Sequence, residues 1–287
     1  MESHIQSEPL PERTILRVET TDHARRPYYL YVPSRGGEGA PLFVAVHGLS
    51  RNVVEHATLF ADYCEKFGAV LIAPLFDEQQ GNDYQRLGRT GQGTRSDHAL
   101  DTIVEDAARR TGAVATPIYL FGFSGGAQFC HRYAMAYPHR VAGAVLAAAG
   151  WYTFPDPLLK YPYGIGRTRA LPNVRFDPEE FLRIPMTVIV GDEDLGGEHL
   201  RSTDQVRKQQ GESRLERAWN WVGAMRAAAA TRRLESRVHL EVIPGGDHVF
   251  AGLMQHSGLG DRVFEALFGN GGGNGNGNGN PSGNGSG

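Results

Sequence analysis

Short apolar runs alternate with segments of helical periodicity along most of this chain. The runs at residues 41–46, 69–74 and 186–190 carry almost only apolar side chains, as strands that are buried on both faces do. Strands that alternate with helices are typical of a parallel sheet covered by helices. The pattern therefore predicts an α/β fold with a mostly parallel central sheet.

The order of the predicted elements gives about eight strands with helices on both faces of the sheet. Strands are expected at 14–21 and 28–33, as an antiparallel pair, and at 41–47, 69–74, 117–121, 141–149, 186–190 and 238–243. Helices are expected at 52–67, 97–111 and 125–137, then one long helix ending near 230 and a last helix near 261–268. Residues 151–183, rich in aromatic residues and proline, are predicted to form a lid-like insert after the sixth strand.

Both ends of the chain differ in composition from this body. Residues 270–287 are nearly all Gly and Asn, so no apolar burial offsets the entropy of ordering them, and we expect a disordered tail. Residues 1–13 are polar and acidic and are interpreted as an N-terminal extension to one domain at 14–269. They show no basic region followed by an apolar run, and no apolar stretch in the chain reaches the length of a bilayer. We therefore expect a cytoplasmic protein with no membrane partner.

The charge and the two cysteines bear on nucleic-acid binding and on disulfide formation. The formal net charge is −3 and the isoelectric point is near 6.4, with the arginines scattered, so we expect no nucleic-acid partner. Cys64 and Cys130 both fall in helical segments, where core positions are expected rather than a disulfide.

The motif Gly122-Phe123-Ser124-Gly125-Gly126 lies between the apolar strand at 117–121 and an amphipathic helix. In such a strand-turn-helix the serine hydroxyl projects above the carboxyl end of the sheet, and the flanking glycines avoid steric clashes in a strained turn. The motif therefore predicts that Ser124 is a nucleophile at a nucleophile elbow.

An acid and a histidine follow at the ends of later strands, in the order that this arrangement requires. The strand at 186–190 ends in Gly191-Asp192-Glu193-Asp194, and the strand at 238–243 leads to His248. We predict that Asp194 orients His248 as the general base, which completes a catalytic triad with Ser124. Asp192 is the alternative acid.

Acyl transfer also needs two backbone N–H groups directed at the developing oxyanion. The sequence predicts that Gly125 provides one and Leu49 the other, with Gly48 as the alternative. His47 is expected to bind the loop backbone. Trp151 and Tyr152, at the start of the insert, are candidate substrate-binding residues, although aromatic residues there can equally pack the insert on the sheet.

These residues together resemble the α/β-hydrolase family. The segments at 26–33 and 46–48, and the block at 210–218, are similar to polyhydroxybutyrate-depolymerase-like and feruloyl-esterase-like serine esterases. The resemblance implies hydrolysis of a small-molecule carboxylic ester through an acyl-enzyme on Ser124, with no metal or cofactor. An amide or peptide hydrolase with the same triad, and a non-catalytic binding protein of the same fold, are the alternatives.

Overall fold

The structure is a computed structural model that describes residues 12–78, 81–92, 94–196, 200 and 203–269. The tail predicted at 270–287, and all of the predicted extension except its last two residues, lie outside the described residues. None of the helices in these ranges combines the length and the apolar character needed to cross a bilayer.

The described chain alternates strands and helices in the predicted manner. The strands are β1 (Leu16–Glu19), β2 (Pro27–Tyr31), β3 (Pro41–Val46), β4 (Val70–Pro74), β5 (Val114–Phe123), β6 (Val141–Ala147), β7 (Met186–Gly191) and β8 (Val238–Ile243). The helices are α1 (Val53–Phe67), α2 (Ser96–Thr111), α3 (Gly125–Ala136), α4 (Pro178–Phe181), α5 (Asp204–Gln210), α6 (Arg214–Thr231), α7 (Phe250–His256) and α8 (Leu259–Phe268).

All eight strands belong to one open sheet with the order β1-β2-β4-β3-β5-β6-β7-β8. Strand β2 pairs antiparallel with both β1 and β4, and the strands from β4 to β8 run parallel. The predicted fold class is therefore confirmed: the chain has the α/β-hydrolase fold, and the insert follows the sixth strand.

The central strands are buried on both faces because each face packs against a separate hydrophobic cluster. In β3, Leu42, Val44 and Val46 belong to one cluster, whereas Phe43 and Ala45 belong to the other. The first cluster includes residues of α2, α3 and α6, and the second includes residues of α1, α7 and α8. Helices therefore cover both faces. Cys64 and Cys130 are buried and free, one in each cluster, as expected.

Three helical segments differ from the sequence prediction, and the first is the short α4 within the insert. The region ending near 230 is two helices, because Gly211 has a φ of +113° and Ser213 begins α6 with a capping box to Glu216. Helix α7, which was not predicted, follows directly after the His248 loop. Its seven residues are too few to give a clear period of 3.6 in the sequence.

A buried carboxylate joins the sheet to α2. Asp106 accepts hydrogen bonds from Tyr28 (2.7 Å) and from Arg110 (2.6 Å). Burial opposes ionisation of Asp106, but the hydrogen bonds from Arg110 and Tyr28 outweigh it, so its pKa lies below the ordinary value. The ionised carboxylate therefore stabilises the fold.

We predict that Asp106→Ala lowers the free energy of unfolding by about 3 kcal/mol, because it leaves the buried Tyr28 hydroxyl unpaired. Chemical denaturation of wild type and variant measures this, with the exposed neighbour Glu105→Ala as control. Since the folded pKa of Asp106 is lowered, the stabilisation is present above the unfolded pKa, near 3.8, and disappears as the pH falls through the folded value. Equal stability of wild type and Asp106→Ala at neutral pH would contradict this assignment.

Candidate active site

Ser124 lies at the turn between β5 and α3, at the carboxyl end of the sheet. Its φ of +53° and ψ of −110° place it in a region that non-glycine residues rarely occupy. The backbone is held there from both sides, since the Ser124 N–H donates to Ala147 O and Ser124 O accepts from the Gln128 N–H. The turn presents the half-buried Ser124 side chain to the cavity beside it.

The two outer glycines of the motif allow three elements to touch through their backbones. A Cβ on Gly122 would lie 2.3 Å from the carbonyl carbon of Gly126, and a Cβ on Gly126 would lie 2.1 Å from Val46 O. Both distances are far below any real Cβ contact. The glycines are therefore required for β3, β5 and α3 to meet beneath the serine.

A second pair of glycines brings together the loops after β7 and β8. A Cβ on Gly191 would lie 2.0 Å from Gly246 O, and the Glu193 N–H donates to that same oxygen. Asp192 fixes the contact further, because its Oδ1 accepts from the Gly245 N–H at 2.7 Å. The loop carrying Asp194 and the loop carrying His248 are thus locked together.

Ser124, His248 and Asp194 form a continuous chain of hydrogen bonds. His248 Nε2 lies 3.1 Å from Ser124 Oγ, and His248 Nδ1 lies 2.7 Å from Asp194 Oδ2. The Asp194 side chain is fully buried, whereas that of His248 remains 30% exposed. With Nδ1–H donating to the carboxylate, Nε2 is free to accept the serine proton. Asp194, and not Asp192, contacts His248.

A buried arginine contacts the other oxygen of Asp194. Arg214 Nη1 lies 2.6 Å from Asp194 Oδ1, and both side chains are almost completely shielded from solvent. In the sequence, Arg214 belongs to the block at 210–218 and has no predicted role. The Ser213-x-x-Glu216 pattern around it indicates a helix start, but nothing in the sequence indicates its partner 20 residues earlier in the chain.

The loop after β3 lies against the serine and the glycine that follows it. The Leu49 side chain lies against Gly125, with its Cγ 3.2 Å from the position of a Cβ on that glycine. His47 Nε2 accepts from the Phe76 N–H at 3.1 Å, so its Nδ1 carries the proton and donates to Gly48 O at 2.7 Å. Burial lowers the pKa of His47 to about 4, which keeps the ring neutral. His47 therefore binds the loop backbone, as expected.

This contact also orients the peptide between Gly48 and Leu49. Its carbonyl oxygen accepts from His47 and from the Arg51 N–H. In a trans peptide the N–H points opposite to the carbonyl. Holding Gly48 O thus fixes the direction of the Leu49 N–H, one of the two predicted oxyanion donors.

A cavity of about 750 Å³ opens beside Ser124 and His248. One part of its lining is apolar and includes Leu49, Trp151 and Phe250, and another part carries the polar residues Gln85, Arg86 and Gln128. Within the described ranges, no group of three or more His, Cys, Asp or Glu side chains is arranged to hold a metal ion.

The two candidate substrate-binding aromatics have different environments. Trp151 lines the cavity, and its ring stacks on the guanidinium of Arg132 at 4.3 Å. Tyr152 instead stacks on Trp221 in the core and does not line the cavity. The prediction that Tyr152 contacts the substrate is therefore wrong. Tyr161 of the insert is also a core residue. The insert therefore buries several of its aromatic side chains against the domain.

Several solved structures that resemble this chain are hydrolases. The chain is similar to poly(aspartic acid) hydrolase-1 from Sphingomonas sp. KT-1, at 23% identity and a TM-score of 0.74 over 89% of this chain and 100% of that one. It is also similar to a poly(3-hydroxybutyrate) depolymerase from Bordetella parapertussis, at 26% identity and a TM-score of 0.71 over 87% and 94%. An acetyl xylan esterase from Aspergillus awamori aligns at 14% identity and a TM-score of 0.55 over 88% and 98%.

No protein-family model matches the chain, and no curated protein sequence matches it significantly. The structural neighbours confirm the resemblance to α/β-hydrolases and to a depolymerase of that fold.

The close contacts of Gly126 predict that an added methyl group destabilises the fold at this position, but not at an uncrowded glycine. We expect Gly126→Ala to destabilise the fold by about 3 kcal/mol or more, because the new methyl group would overlap Val46 O. Gly223→Ala is the matched control: an added Cβ meets nothing within 4 Å in the middle of α6, so we expect a gain of about 0.5–1 kcal/mol. Urea denaturation measures both, and a Gly126→Ala protein as stable as wild type would contradict the contact.

Proposed function

We propose that this protein is a serine hydrolase that cleaves a carboxylic ester through an acyl-enzyme on Ser124. The observation that carries the proposal is the hydrogen-bonded series of Ser124, His248 and Asp194 at the mouth of a cavity. The hydrolase neighbours support the same class of reaction. A binding protein of this fold would have no use for a strained serine aligned with a histidine and a buried carboxylate.

In the proposed mechanism His248 first acts as a base. Its Nε2 takes the Ser124 proton as Oγ attacks the ester carbonyl, and Asp194 stabilises the imidazolium that forms. The imidazolium then protonates the leaving alcohol, which leaves the acyl group on Ser124. Water, deprotonated by the same imidazole, attacks the acyl-enzyme and releases the acid, and Ser124 Oγ regains its proton from the imidazolium.

Charge develops on the carbonyl oxygen in both tetrahedral intermediates. We propose that the N–H groups of Gly125 and Leu49 bind this oxygen, because they belong to the first residue of α3 and to the loop lying against it. A single donor of this kind is typically worth about 3 kcal/mol of barrier. His47 supports the second donor through Gly48 O.

The same residues would also cleave an amide. The neighbour named as a poly(aspartic acid) hydrolase is the observation that favours this second candidate. Parallel assays with an ester and an amide of the same acyl group distinguish the two activities. For either substrate, we expect contact with Trp151, which lines the cavity.

A fluorophosphonate probe tests the proposed nucleophile without knowledge of the natural substrate. We expect stoichiometric labelling of wild type and none of Ser124→Ala. Ester hydrolysis should fall by about four orders of magnitude or more in Ser124→Ala and in His248→Ala, because each removes a member of a unit that acts together. Unchanged thermal unfolding of each variant is the control for folding.

The two aspartates of the loop after β7 provide a matched pair. We expect Asp194→Asn to reduce hydrolysis by about 10²- to 10⁴-fold, because the amide cannot hold His248 with its proton on Nδ1. Asp192→Asn should leave the rate within about threefold, since the Asp192 side chain accepts from the backbone of Gly245, whereas His248 contacts Asp194. Labelling of wild type at a residue other than Ser124, or equal losses in both asparagine variants, would refute the proposed triad.

A further inference from the structure

The buried ion pair between Arg214 and Asp194 has no part in the mechanism above. Asp194 uses one carboxylate oxygen for each neighbour, Oδ2 for His248 and Oδ1 for Arg214. With Oδ1 held at 2.6 Å, the carboxylate cannot rotate without breaking a charge-assisted hydrogen bond in a site shielded from water. The contact therefore determines where Oδ2 points.

The arginine is itself held rigidly. Arg214 is the first residue of α6, whose start is fixed by the capping box of Ser213 and Glu216. One turn later Arg217 donates to Gly150 O (2.7 Å) and to Gly211 O (2.9 Å), which ties the same end of the helix to the loop before the insert. Arg214 also donates to Gly196 O in the loop that carries Asp194. Both the backbone that carries Arg214 and the loop that its guanidinium contacts are therefore held in place.

We propose that Arg214 is a positioning residue, which holds Asp194 so that its Oδ2 faces His248. The inference rests on the proposed function, because it gives Arg214 its role through the triad acid. It adds a residue to the site that acts on the reaction without being a member of the triad.

The test compares Arg214→Met with Arg214→Lys. We expect Arg214→Met to lower the rate of fluorophosphonate labelling at pH 8 by about tenfold or more, because Asp194 is no longer fixed. Arg214→Lys keeps a charged donor but loses the planar guanidinium, so it should restore part of the rate.

Two controls separate positioning from a general structural role. Arg226→Met removes an arginine of the same helix that donates to Val238 O, and it should leave the labelling rate unchanged. In an Asp194→Asn background, Arg214→Met should add less than about twofold, because the arginine acts only through that carboxylate. A full additional loss, or a change confined to KM for an ester substrate, would mean that Arg214 contacts substrate directly and would overturn the proposal.

Thermal unfolding monitors whether each variant folds. Should Arg214→Met not fold, Arg214→Lys decides: a lowered labelling rate supports the inference, and a wild-type rate overturns it. The NMR signal of the His248 Nδ1 proton reports its hydrogen bond to Asp194 and needs no activity. If wild type is not labelled at all, the proposed function fails, while an unchanged Nδ1 proton signal between wild type and Arg214→Met overturns the inference separately.

Discussion

The site depends on close backbone contact among β3, β5 and α3. Gly122, Gly126 and the carbonyl of Val46 approach each other at distances that leave no room for a Cβ. This contact supports a sharp turn in which Ser124 adopts a positive φ. The strain of that conformation, of the order of 1–3 kcal/mol, is offset by the hydrogen bonds and the buried strands on either side. Without Gly122 and Gly126, the chain could not pass from β5 to α3 through a sharp turn at Ser124.

Close backbone contact also joins the loops after β7 and β8, where Gly191 and Gly246 touch. Because β5, β7 and β8 are parallel members of one sheet, their carboxyl ends lie at one edge. The contact between Gly191 and Gly246 then keeps the loops after β7 and β8 close to that edge. His248 and Asp194 reach Ser124 because their loops are packed on each other rather than extended into solvent.

Local signals in the sequence predicted this part of the molecule well. Apolar runs, glycine turns and strand order depend on residues close together in the chain, and they gave the eight strands, the sheet type and the three residues that meet. The prediction failed where distant partners decide the outcome. Tyr152 packs on Trp221 of α6, and α5 separates from α6 because a glycine and a capping box interrupt what composition alone suggests is one helix.

Arg214 illustrates the same limit in the polar part of the site. An arginine in the first turn of a helix is normally exposed, and nothing near it in the sequence indicates that it is buried. Only the fold brings it to Asp194, where both side chains are shielded from solvent and the guanidinium donates to Oδ1. A buried carboxylate whose second oxygen had no hydrogen-bond donor would lose free energy on desolvation. The arginine supplies that donor at Oδ1, and Oδ2 is left for His248.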